Sequence, residues 1–189
     1  MFGKDNLHTI TSVLHDGGLI LYPTDTIWGI GCDATNPKAV QQVFDLKQRP
    51  TDKPFVLLVD SVEMLKNYVK QVHPRISTLL MYHTHPLTIV YPEANNLPDI
   101  SYANDGSVAI RVAMDSFCKE LIGHFGKPII ASSANVSNAP FPTHFGAISS
   151  DIIVGVDYVV KWKQSEKKLN QPSSIAKLSD KEELIFLRE

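Results

Sequence analysis

"NPKAVQQVFDLKQRPTDKPFVLLV", residues 36–59, decides the fold class. Asn36 offers a side-chain oxygen for an N-cap and Pro37 suits the first helical position, while Ala39, Val40, Val43, Phe44 and Lys47 follow at helical spacing. The helix must stop before Pro50, because a residue preceding proline is pushed out of the α region. "PFVLLV", residues 54–59, then reads as a short strand buried on both faces. A helix feeding a wholly apolar strand is half of an α/β repeat.

Working outward, "GGLILYP" (17–23), "PLTIVYP" (86–92), "SVAIRVA" (107–113) and "KPIIAS" (127–132) are further buried strands. Ser61 caps a helix carrying Met64, Leu65 and Tyr68, and Asp115 caps another with Phe117, Leu121, Ile122 and Phe125, which Gly126 ends. "DYVV", "SSIAKL" and "ELIFL" add short β segments towards the end. Several connections are too short for a helical crossover, so the α/β sheet is expected to be mixed.

The 189 residues, 43% of them apolar, suit one domain over 1–189. With a net charge of -2, affinity for polyanions must come from a local patch. Cys32 and Cys118 stand alone and read as reduced, buried thiols of an intracellular protein. No apolar run approaches the ~18 residues of a membrane span, and a cytoplasmic protein is expected.

Several familiar motifs fail on context. "GIGCDA" (29–34) matches a dinucleotide fingerprint, but its glycines do not lie at the turn into the helix that begins near Pro37. "GHFGKP" (123–128) has short glycine spacing and Pro128 where a P-loop needs Ser or Thr, so it reads as a helix stop. His83 and His85 lack a third ligand at metal spacing and read as a solvated loop pair.

Two segments carry chemistry. Lys47, Arg49 and Lys53 cluster between the helix and the strand, where Arg as a planar fork and Lys as point charges would suit a triphosphate; a solvated turn is the plainer alternative. "ASSANVS" (131–137) follows a buried strand with hydroxyl and amide groups suited to phosphate or ribose oxygens, or to its own backbone.

Taken in order, "LYPTDTIWGIGCDA", "LKQRPTDKPF", "PLTIVYP", "VAIRV", "KPIIASSANVSNAPFPT" and "LNQPSSI" resemble the YrdC family of threonylcarbamoyl-AMP synthases. The resemblance runs from about residue 18 to residue 175, and K-x-R (Lys47, Arg49) and S-x-N (Ser133, Asn135) are its most specific elements. It implies a single-domain, open, twisted mixed sheet with flanking helices around a deep, positively charged cavity, in the short form of the family. It also implies an activity: L-threonine, bicarbonate and ATP yield threonylcarbamoyl-AMP and pyrophosphate, for threonylcarbamoyladenosine in tRNA.

By motif, Lys47 and Arg49 are the implied catalytic residues, and Lys47, Arg49, Lys53, Ser133, Asn135 and Ser173 would bind ATP. Thr26 and Arg111 would hold threonine, although an internal salt bridge is the alternative for Arg111. Mg²⁺ would come with ATP, held by phosphates and water. Partners would be downstream threonylcarbamoyl-transfer enzymes, with RNA contact open. The lysine-bearing segment 161–174 is expected to act as a lid. Ser174 replaces the usual threonine, His85 a common glycine, and "RVAMDSF" lacks the usual proline and histidine, departures that bear on the threonine pocket. The competing reading is a double-stranded RNA-binding module, which here has no RNP or KH signature.

Overall fold

Asn36 does cap the helix expected of it. Its side chain accepts from the amides of Lys38 and Ala39, and α2 runs Pro37–Lys47 before Gln48, in the left-handed conformation at φ 49°, closes it. The computed structural model describes Phe2, residues 5–167 and residues 171–188.

The other capped segments behave alike. Ser61 accepts from Met64 N at the start of α3, Val62–Tyr68, and Asp115 accepts from Cys118 N at the start of α5, Ser116–Phe125. Gly126 follows α5 at φ 77° and returns its N–H to Ile122 O, a left-handed cap that glycine adopts without strain. The helix-stop reading of "GHFGKP" therefore holds. Three helices were not anticipated: α1, Leu7–His15, α4, Pro74–Tyr82, and the short α6, Ser150–Val154.

Among the described residues nine strands form one sheet. In chain order they are β1, Ile20–Tyr22, β2, Gly29–Gly31, β3, Val56–Val59, β4, Leu87–Tyr91, β5, Val108–Val112, β6, Ile129–Ser133, β7, Tyr158–Val159, β8, Ser174–Leu178 and β9, Leu184–Arg188. Their spatial order is β7-β1-β2-β6-β3-β5-β4-β8-β9. The pairs β1 with β7, β3 with β5 and β4 with β8 are parallel and the rest antiparallel, giving the mixed sheet the short connections require.

Period-two alternation divides the core. Leu21, Leu57, Val59 and Ile130 join one apolar layer with Val40, Val43 and Phe44 of α2, whereas Ile20, Tyr22, Leu58 and Ile129 join another with Ile10 and Leu14 of α1 and Phe117 and Leu121 of α5. Both faces are covered, which is why the strands read as continuous apolar runs. Cys32 and Cys118 lie buried and unbridged in these layers.

"GIGCDA" contributes β2 rather than a phosphate turn. Gly31 sits under Tyr22, whose hydroxyl donates to Ile130 O at 2.9 Å. A Cβ at Gly31 would lie 2.7 Å from Tyr22 Cε1 and 3.0 Å from Ile130 O. Gly31→Ala is therefore expected to cost about 1–3 kcal/mol by overpacking. That corresponds to a fall in Tm of roughly 2–4 °C per kcal/mol, readable by calorimetry.

Candidate active site

Small side chains on adjacent strands leave a hollow on the sheet. Val56 of β3 pairs with Ala131 of β6, and Val90 of β4 pairs with Ala109 of β5. These four residues line a cavity of about 450 Å³, to which Thr24, Thr26, Ile27, Gly29, Ser132 and Ser133 also contribute. Arg49, Phe55 and Phe141 reach it from loops, and Ser173, Leu187 and Arg188 from β9 and the approach to β8. Such a volume suits a small molecule, typical ligand sites spanning about 300–1,000 Å³. Among the described residues its lining holds three arginines, Arg49, Arg111 and Arg188, and no carboxylate. A site so composed favours an anionic ligand.

Arg111 is 4% exposed and stands on β5 beside Thr88 of β4. Its Nη1 donates to Thr26 Oγ1 at 2.8 Å and its Nη2 lies 3.4 Å from Asp25 Oδ1, while the buried Nε has no partner among the described residues. Asp25 Oδ2 accepts from Met114 N at 3.1 Å. Thr24 Oγ1 donates to Ile27 O, so the Thr26 hydroxyl donates to Thr24 and accepts from Arg111. Arg111 thus has its internal ion pair and also faces the cavity. A fork held on one side by Thr26 and Asp25 and set in the cavity wall is arranged for an anion.

Arg49 lies across the cation loop. Its Nε donates to Lys53 O at 2.7 Å and its Nη2 to Pro54 O at 3.3 Å, with the guanidinium carbon 5.1 Å from the Phe55 ring centroid. Phe55 in turn rests on Phe44 of α2, 4.2 Å between centroids. Two carbonyls and an aromatic face fix the fork before any ligand arrives. Burial lowers the Arg49 pKa from its ordinary value, with Asp52 opposing.

Lys47, Lys53 and Asn135 are not among the lining residues. Lys47 is 1% exposed, and its ammonium donates to the carbonyl oxygens of Ser133 and Asn135. Burial, and secondarily Arg49, lowers its pKa from 10.5 to about 7. Between those values the unfolded chain keeps a proton that the folded chain releases, so through Lys47 stability should increase as pH rises above about 7. Thermal melts from pH 7 to pH 9 should show that rise, reduced in Lys47→Met relative to wild type. Asn135 spends its Nδ2 on Val136 O and Ala139 O, and its Oδ1 is buried without a partner.

Ser133 lines the cavity from the end of β6, beside Gly29 in register. The Ser173 hydroxyl shares a 2.8 Å hydrogen bond with Thr88, and its carbonyl accepts from Nε and Nη2 of Arg188 at 3.1 and 2.8 Å. The Arg188 pKa is lowered by burial and then by Arg111, so two like charges meet at the cavity. Arg188 and Asp25 were missed from sequence. Arg188 ends the apolar run "ELIFLR", and Asp25 sits inside "PTDT" beside the flagged Thr26.

The segment expected as a lid is tied down at its start. Asp5 accepts from the amides of Lys161 and Trp162 and from the Tyr158 hydroxyl. Its centre, residues 168–170, lies outside the described residues. His83 follows α4 and its Nδ1 contacts Leu80 O, whereas His85 Nδ1 contacts the Thr84 hydroxyl.

An arginine-lined cavity on a mixed α/β sheet is suited to a small anionic ligand, and comparison with known proteins shows the family and the fold. The chain belongs to the Sua5/YciO/YrdC family, whose model carries the description "Telomere recombination" and matches residues 12–189. A threonylcarbamoyl-AMP synthase of Vibrio parahaemolyticus is 34% identical over 139 residues, covering 72% of this chain and 75% of the relative. The structure of Pyrococcus abyssi Sua5 complexed with L-threonine superposes with a TM-score of 0.84 at 25% identity, over 96% of this chain and 53% of that one. This chain thus spans about half the length of that protein. Escherichia coli YciO shares the fold, with a TM-score of 0.83 at 19% identity over 97% of this chain and 88% of its own.

Proposed function

We propose that this chain synthesises threonylcarbamoyl-AMP from L-threonine, bicarbonate and ATP, releasing pyrophosphate, as an early stage of threonylcarbamoyladenosine formation in tRNA. The observation that carries the reading is the convergence of three arginines on one cavity, with no carboxylate in its lining among the described residues, in a chain of this family. The Vibrio relative's name supplies the reaction, and the threonine-bound Pyrococcus relative supplies one substrate.

The chemistry asks little of a protein nucleophile. The threonine amine and bicarbonate condense to a carbamate with loss of water, a carbamate oxygen attacks the α-phosphorus, and the P–O bond to pyrophosphate breaks. Positioning and neutralisation of phosphate charge suffice for such a transfer. Arg111, in the cavity lining and bonded to Thr26, takes the threonine carboxylate. Arg49 meets the phosphates and Ser133 and Ser173 flank the nucleotide from the lining, while Lys53 adds charge from the cation loop and Asn135 acts from the turn after β6, both outside the lining. Arg188 joins them from β9.

Mg²⁺ enters as the counter-ion of ATP, part of the substrate, held by phosphate oxygens and water. Single-domain organisation over 1–189 and a cytoplasmic setting, where ATP and tRNA meet, belong to the same reading. No described helix is long and apolar enough to cross a membrane. The adenylate passes to a threonylcarbamoyl-transfer enzyme.

The experiment is pyrophosphate release with Mg²⁺ and ATP, omitting threonine or bicarbonate in turn. Release that needs every substrate is the expected result. ATP cleavage indifferent to threonine would overturn the reading.

A further inference from the structure

The K-x-R pair is split by the backbone. Lys47 is the last residue of α2, Gln48 turns left-handed, and Arg49 emerges on the loop that lines the cavity. Lys47 instead faces the segment leaving β6 and holds it at three points. Its ammonium donates to the carbonyls of Ser133 and Asn135, and its own carbonyl accepts from Ser137 N at 2.7 Å. A fourth tie runs from Ala134 N to Trp28 O at 3.0 Å. The lysine's contacts are made with neutral carbonyls, and at 1% exposure its side chain has almost no solvent to reach a phosphate through.

We infer that Lys47 is a positioning residue rather than a phosphate ligand: it seats loop 133–137 so that Ser133 stays in the cavity lining, and Arg49 alone of the pair meets ATP. The inference rests on the reading of the cavity as the ATP site. Geometry decides between the two roles, because two of the ammonium's three donors are committed to carbonyls and, at 1% exposure, the third has no open path to a phosphate, so the head would have to swing away from both carbonyls to bind one. Doing so would strip the Asn135 carbonyl of its ammonium donor and leave the Ser133 carbonyl only the Asn135 amide, at 2.9 Å.

The test compares wild type with Lys47→Met, which keeps the length of the side chain without its donors, and with Lys47→Arg, which keeps the charge but not the fit. Amide hydrogen exchange at Ala134, Asn135 and Ser137 should speed up by about tenfold or more in Lys47→Met, as expected where local opening becomes easier. The kcat for pyrophosphate release should fall about tenfold or more with KM for ATP changed less than about threefold, since the loss lies in positioning rather than in ground-state binding. Lys47→Arg should not rescue either quantity.

A phosphate ligand would give the reverse: unchanged exchange in the loop, a large rise in KM for ATP and rescue by arginine. That result overturns the inference. Should Lys47→Met fail to fold, the wild-type chain still decides. Saturating ATP should shift the Arg49 Nε resonance and leave the Lys47 Nζ resonance in place, and a Lys47 shift as large as that of Arg49 would contradict the strut. If wild type binds no ATP, the cavity reading falls on its own, while hydrogen exchange in Lys47→Met still tells whether the loop depends on Lys47.

Discussion

Arg49→Ala should lower threonine-dependent pyrophosphate release by about 10²–10³-fold, the loss usual when one fixed donor to developing charge is removed. The size follows from preorganisation. Arg49 is held by the carbonyls of Lys53 and Pro54 and by the Phe55 face, so the ligand does not have to order it. Its removal leaves Arg111 and Arg188 in the lining, with Arg111 engaged by Thr26 and Asp25 and Arg188 by Ser173. Stability should change little, because the two bonds lost are to loop carbonyls and the side chain is half-buried. Stopped assays for pyrophosphate, beside a thermal melt, separate the two quantities. Wild-type turnover in Arg49→Ala would remove the phosphate role.

The second large effect belongs to Arg111 and acts on stability and function together. Arg111→Ala strips Asp25 of its cation at a site where both side chains are below 10% exposed. Breaking a buried pair in this way typically costs about 3–5 kcal/mol, because the remaining charge stays desolvated. For a chain of this size Tm should fall by roughly 2–4 °C per kcal/mol. Arg111→Lys separates the roles. It restores a charge for Asp25 and most of the stability, but it lacks the fork that would embrace a carboxylate, so KM for threonine should rise about tenfold or more. A normal threonine KM in Arg111→Lys would assign the residue to structure alone.

How much of this was legible differs by element, for physical reasons. Helix α2 could be read to its ends because Asn36, Pro37 and Pro50 punctuate it, and α3 and α5 because Ser61, Asp115 and Gly126 do the same. The segment of α1, "LHTITSVLH", is rich in β-branched and hydroxyl residues of weak helix propensity, and its burial against α5 in the second core layer overrides that. In β2 the glycines conceal the strand, since their reason is the Tyr22 ring lying over them.

The site was legible as residue types more than as geometry. Arg49, Arg111, Thr26, Ser133 and Ser173 converge on one cavity from segments far apart in sequence. The family's K-x-R motif gave Lys47 the same expectation as Arg49, because a motif does not show which way two nearby side chains face; the left-handed turn at Gln48 makes them face different neighbours. Arg188 carried no motif at all, and its role depends on the antiparallel pairing that lays β9 against β8.

Mass spectrometry of the product tests the central claim most directly. The purified chain would be incubated with Mg²⁺, ATP, L-threonine and ¹³C-bicarbonate and the nucleotides separated at once. The account predicts an adenylate carrying both threonine and one ¹³C, formed with an equal amount of pyrophosphate. ATP that remains intact, or AMP and pyrophosphate formed with no labelled adenylate and no need for threonine, would contradict it.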